Sequence, residues 1–120
     1  MTLNNLLNDH CRPVARGTPP LPRDETAGYL ALLPGWELLE NAGRIRRRFR
    51  FGGFSESVEF LVKLAPIANA EDHHPDVKLT MYRWLDIEYR TNSIGGLSRN
   101  DFIMAAKVDQ LYERFSSTSA

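Results

Sequence analysis

Residues 77–90 constrain the fold of this chain more than any other stretch. Val77, Leu79, Met81, Leu85, Ile87 and Tyr89 alternate with Lys78, Thr80, Asp86, Glu88 and Arg90. Successive side chains of a strand point to opposite faces, so a period of two predicts strands with one apolar and one polar face. The run is too long for one ordinary strand, and Tyr82-Arg83 marks the turn between two. A second alternation lies upstream, where Ile45, Phe49 and Phe51 oppose Arg44, Arg46, Arg48 and Arg50, and Arg47 breaks the apolar side. Trp36–Glu40 pairs with that segment across an Asn41-Ala42-Gly43 turn. Strands joined by such short turns form an antiparallel sheet with one face on a core.

Three helices must cover that face. The first begins near Arg23-Asp24-Glu25, where acidic residues favour a helix N-terminus, and stops at Pro34-Gly35. The second runs from about Ser55 to Ala70, with Val58, Leu61, Val62 and Ala65 near helical spacing. Pro66 inside it predicts a kink or a break. The third starts at Ser98, with Asp101 placed as in a capping box that has Asp for Glu. Met104, Val108, Leu111, Tyr112 and Phe115 form its apolar stripe. The expected domain spans residues 22–116 in the order αββαββα. It is an α+β two-layer sandwich: a four-stranded antiparallel sheet with three helices on one face.

Residues 1–21 show no period, and Thr18-Pro19-Pro20-Leu21-Pro22 cannot continue a helix. They are expected to form a flexible tail that admits a short helix at Thr2–Leu7, or else a docking peptide built on Arg12, Arg16 and the prolines. Residues 117–120 are expected to fray. The 15 basic and 15 acidic residues cancel, so binding to nucleic acid driven by net charge is not expected. The single cysteine, Cys11, excludes an intrachain disulfide. No apolar run is long enough for a membrane span, and no basic segment followed by an apolar one opens the chain, so a soluble cytoplasmic protein is expected.

The chemistry concentrates in Asp72-His73-His74-Pro75-Asp76, between the second helix and the third strand. Histidine titrates near neutral pH, so an adjacent pair suits proton transfer. The plain alternative is a pair of structural hydrogen-bonding residues. No third ligand accompanies the pair, so no metal is expected.

Further pieces stand in order along the chain: Pro34-Gly35-Trp36 before the first strand, Tyr82, and Gly96-Leu97-Ser98 with Asp101 opening the third helix. Together with Asp72-His73-His74-Pro75, they resemble the pterin-4a-carbinolamine dehydratase family over residues 22 to 115. The resemblance implies removal of water from 4a-hydroxytetrahydropterin to give quinonoid dihydropterin, without metal or bound cofactor. It implies that His73 is the acid/base, that His74 binds or orients the pterin, and that Asp101 organises the site. Pro75 would fix the backbone, and Asp72, Tyr82 and Asn92 would line the cleft. Two positions depart from the pattern: Asn92 stands where the family has a third His, and Asn69 where it commonly has Glu. Asparagine hydrogen-bonds but does not exchange protons at neutral pH. Glu71 is displaced by two residues from the Glu position, which on a helix end turns it elsewhere.

Two functions are therefore expected in competition. One is a dehydratase, with full or reduced activity. The other is a non-catalytic assembly factor on the same fold, as in relatives that serve RuBisCO in α-carboxysome bacteria, with the RuBisCO large subunit as partner. Arg46, Arg48 and Arg50 would give such a factor a docking stripe for an acidic surface; otherwise they form a solvated sheet face. Either function is expected in a homodimer or homotetramer, because an open four-stranded sheet has edges to cover.

Overall fold

The alternating segments become neighbours in one sheet. The structure, a computed structural model, describes residues 1–39 and 41–118. Strands β1 (Glu37–Leu39), β2 (Arg44–Arg50), β3 (Asp76–Thr80) and β4 (Trp84–Tyr89) lie in the order β1-β2-β4-β3, with every pairing antiparallel. Ile45 faces Tyr89 and Phe49 faces Leu85, while Val77 and Leu79 meet Ile87 and Leu85 from the other side. This register gathers the apolar half of each alternation on one face.

Helices α2 (Arg23–Ala31), α3 (Phe54–Glu71) and α4 (Arg99–Thr118) follow the expected order. Phe49 packs on Tyr112 of α4 with ring centroids 4.8 Å apart, and Phe60 of α3 lies 5.6 Å from Phe115. Rings in such edge-to-face contact bind the three elements into one core. No helix among the described residues is long and apolar enough to cross a membrane.

Four expectations need correction. The first residues are not a loose tail: α1 (Leu3–Asn8) is capped by a reciprocal Thr2–Asn5 box, and Leu6 is completely buried in the core. Leu6, with Leu7 packed beside it and Lys107 Nζ donating to the Leu7 carbonyl at 2.9 Å, anchors the segment against the core. Of the kink or break expected at Pro66, the break does not occur, because helix α3 runs through it. The carbonyl freed by the missing N–H is that of Val62, whose residue is 66% exposed, so water can satisfy it.

Arg47 does not disrupt the apolar face. Its guanidinium lies 4.5 Å from the Phe49 ring centroid and donates to Asp109 at 2.7 Å, where Trp36 Nε1 also donates at 2.9 Å. Burial pushes the Asp109 carboxyl up from its ordinary range despite both donors. Gly35 leaves the space, since a Cβ there would sit 2.8 Å from Arg47 Nε.

The arginine stripe is not a free basic surface. Arg46 donates to Glu37 at 2.7 Å, Arg48 forks onto Asp86 at 2.8 and 3.1 Å, and Arg44 meets Asp76 and Glu88. Arg50 lies over the Trp84 ring at 5.6 Å. The polar halves of β1, β3 and β4 thus pair with Arg44, Arg46 and Arg48 across the sheet, which weakens the case for an acidic docking partner. Of the expected frayed end, α4 carries residues 117 and 118 in helix; residues 119 and 120 lie outside the described residues.

Candidate functional site

Helix α3 ends by placing Asp72 in the left-handed region, with φ 51° and ψ 41°. The amides of Asp72 and His73 bond back to the carbonyls of Asn69 and Ala68 at 3.3 and 3.2 Å, closing the last turn. The chain then reverses and delivers His73 and His74 before β3 begins. Aspartate is among the few non-glycine residues that enter this conformation readily.

His73 stacks on Tyr89 of β4, with ring centroids 5.6 Å apart and planes 13° from parallel. Its Nε2 lies 2.7 Å from Oδ1 of Asp101, a fully buried carboxylate. The other oxygen of Asp101 accepts from Thr91 Oγ1 at 2.8 Å and from the Ser98 amide at 2.9 Å. Asp101 thus supplies one half of a capping box for α4 while it orients the imidazole. A carboxylate accepts, so Nε2 of His73 donates and Nδ1 is the nitrogen left to exchange a proton. His74 Nε2 is 2.9 Å from Oδ1 of Asn69, so the residue that departs from the family pattern anchors the second imidazole from one turn back.

The two histidines line a cavity of about 460 Å³ together with Asp72, Arg90 and Asn92. Asn92 begins a single 3-10 turn, Asn92–Ile94, separated from β4 by Arg90 and Thr91. Asp101 lies behind His73, and Pro75 follows the pair without lining the cavity. Tyr82 is not brought to this site. It sits in the β3–β4 turn, at the end of β4 away from Tyr89, and its hydroxyl accepts from Arg83 at 2.6 Å. An alternating strand places residues seven positions apart at opposite ends of the sheet, so Tyr82 and Tyr89 cannot share one cleft.

Residues 11–14, expected in a tail, form another wall of the cavity. Glu71 accepts from the Cys11 amide at 2.7 Å and contacts His10 Nδ1 at 2.7 Å. Asn100 clasps Arg12 at both backbone groups, at 3.0 and 2.6 Å, and Ser93 donates to the Val14 carbonyl at 2.8 Å. Each anchor is a near neighbour of a site residue: Glu71 of His73, Ser93 of Asn92, and Asn100 of Asp101. Burial opposes the Glu71 charge, but the His10 and Cys11 hydrogen bonds outweigh it and hold the carboxyl below its ordinary range. Burial, reinforced by Glu71, pushes the Cys11 thiol up to about 12, so it stays protonated. The sequence signals none of this strap, because its contacts are backbone hydrogen bonds to residues 60 to 90 positions away. Among the described residues no group of three or more His, Cys, Asp or Glu is arranged to hold a metal ion.

The model of the Pterin 4 alpha carbinolamine dehydratase family matches residues 19–111. The chain belongs to the pterin 4 alpha carbinolamine dehydratase family. Relatives that carry the dehydratase name include one from Methylococcus capsulatus, 41% identical over 89% of this chain and 93% of its own length. Another, from Nitrosomonas europaea, is 42% identical over 91% of this chain and 95% of its own. Among solved structures, a transcriptional coactivator/pterin dehydratase from Brucella melitensis superposes with a TM-score of 0.71 at 30% identity, covering 77% of this chain and 97% of that one. A pterin dehydratase-like protein identified as a RuBisCO assembly factor in the alpha-carboxysome gives a TM-score of 0.55 at 23% identity, over 64% of this chain and 88% of its own, and shares the fold. The dehydratase-family sandwich is thus the frame on which His73, His74 and Asp101 are held.

Proposed function

We propose that this chain is an active dehydratase that converts 4a-hydroxytetrahydropterin to quinonoid dihydropterin and water. The reading is carried by one observation: His73 lines a cavity with Nε2 committed to the buried Asp101 and Nδ1 free. An imidazole oriented by a buried carboxylate is the usual arrangement for controlled proton transfer.

The reaction needs a proton at the 4a-hydroxyl and loss of one from N5. Protonated His73 gives its Nδ1 proton to the hydroxyl oxygen. The C4a–O bond breaks as the N5 electron pair forms the C4a=N5 bond, and water leaves. The N5 proton then passes to the Nδ1 that has just been vacated. One imidazole used twice closes the cycle, because the hydroxyl and N5 sit on adjacent ring atoms. This route needs no titratable group at Asn92 or Asn69. His74, anchored by Asn69, is free to hold the ring, and the exposed carboxylate of Asp72 suits the amino and amide N–H edge of a pterin.

A RuBisCO assembly role has weaker support, since Arg46 and Arg48 are paired within the sheet. A homodimer or homotetramer is favoured by the uncovered β3 edge, where Val77 is 47% exposed, and by exposed Phe54, Val58 and Val62 along α3. The direct test supplies freshly generated 4a-hydroxytetrahydropterin and follows quinonoid dihydropterin by absorbance. Formation faster than the spontaneous reaction is expected; the spontaneous rate alone, at any protein concentration, overturns the proposal.

A further inference from the structure

The cleft holds a cation that neither the dehydration nor a carboxylate partner uses. Arg90 follows β4 and lines the cavity beside Asn92. It makes no hydrogen bond or ion pair among the described residues, and its Nε is buried without a partner. The contrast with β2 is direct, since Arg44, Arg46, Arg47 and Arg48 each meet a carboxylate. A guanidinium drawn partly out of water without a counter-charge is costly, and proteins seldom leave one so placed.

Among the described residues no carboxylate pairs with it. Asp101 is saturated by His73, Thr91 and the Ser98 amide. Glu71 is engaged by His10 and the Cys11 amide, with Lys107 Nζ 3.9 Å away. Asp72 lines the same cavity and is also unpaired among the described residues, yet it forms no ion pair with Arg90. A ligand that satisfies both carries a donor edge for Asp72 and an anion for Arg90.

We infer that the cleft selects a pterin whose ring substituent carries an anion, a carboxylate or a phosphate, and that Arg90 is the residue that receives it. The inference rests on the pterin reading of the cleft and deepens it to a substrate class. With Nε buried, the terminal nitrogens Nη1 and Nη2 take the anion end-on, as a planar fork that two oxygens can match. A neutral substituent leaves the cation uncompensated, so discrimination against it is built in.

The test measures binding of three stable pterins that are not turned over: 6-methylpterin, pterin-6-carboxylate and 6-hydroxymethylpterin phosphate. Quenching of pterin fluorescence gives Kd for the wild type, Arg90→Gln and Arg90→Lys. The wild type is expected to bind at least one anionic pterin about tenfold tighter than 6-methylpterin, the gain typical of a charge-assisted contact. Which anion gains identifies the carboxylate or the phosphate as the group received. Arg90→Gln should erase that gain while binding 6-methylpterin at least as tightly as the wild type does, which also shows that the variant is folded; Arg90→Lys should keep part of it. Equal wild-type affinities for all three pterins, or equal weakening of all three by Arg90→Gln, overturns the role of Arg90 and leaves the pterin site standing. Failure of the wild type to bind any of the three overturns the pterin reading, and this inference with it.

Discussion

Asp101 holds His73 Nε2 at 2.7 Å with one carboxylate oxygen and, with the other, holds Thr91 and the first turn of α4. A buried carboxylate is tolerated only when hydrogen bonds replace its water, and here three donors do so. Those donors come from the loop after α3, the segment after β4 and the entry to α4, so one side chain ties together the three segments that build the cleft.

Asp101→Asn keeps the shape but turns one acceptor oxygen into a donor facing other donors. The kcat for dehydration should fall by roughly 10²-fold or more, with KM changed far less, since Asp101 reaches the substrate only through His73. Steady-state kinetics checks the split. A rise in KM at constant kcat would place Asp101 in binding instead.

Leu6 joins the N-terminal segment to the core, being 0% exposed. Leu6→Ala should cost about 2–5 kcal/mol in urea unfolding, as for other buried leucines. A loss below about 0.5 kcal/mol, the range of surface changes, would mean that the segment is not part of the folded domain.

How much of this was legible in the chain follows from where each contact comes from. The sheet was legible because Ile45, Phe49, Leu85 and Ile87 each obey a local period of two, and register follows from that period. His73, His74 and Asp101 were legible as motifs of the family resemblance; the structure sets Asp101 on His73 and Asn69 on His74. Leu6 and the strap were not legible, because one apolar residue and a set of backbone amides leave no period. Nor was the pairing of Arg48 with Asp86, which depends on how β2 lies against β4. Tyr82 was misplaced because a motif fixes a residue's position along a strand, not the end of the sheet where the cleft lies.

The strap itself gives a sensitive readout. Burial pushes the Cys11 thiol up to about 12, so alkylation by iodoacetamide near pH 8 should be slow. Asn100→Ala removes both hydrogen bonds to the Arg12 backbone, worth about 1 kcal/mol each, and should raise the alkylation rate by roughly tenfold or more. An unchanged rate would mean that Asn100 does not hold the strap over the cleft.

Arg48 holds Asp86 below its ordinary carboxylate value of 3.8, against the opposing effect of burial. The folded state therefore binds the Asp86 proton less readily than the unfolded chain. The pair's stabilisation is fully present above that ordinary value and is lost as pH falls through the lower folded value. The stability difference between wild type and Arg48→Gln should be larger near pH 6 than near pH 2 in matched urea melts. A difference that stays constant or grows toward acid would contradict the pairing.

The most direct test of the account is the rate of quinonoid dihydropterin formation by wild type and His73→Ala, with binding of an inert pterin measured on both. The account predicts a wild-type rate above the spontaneous one, a loss of about 10²–10⁴-fold in His73→Ala, and pterin binding retained by the variant. A His73→Ala protein that dehydrates the carbinolamine at the wild-type rate would show that the proton transfer does not run through His73.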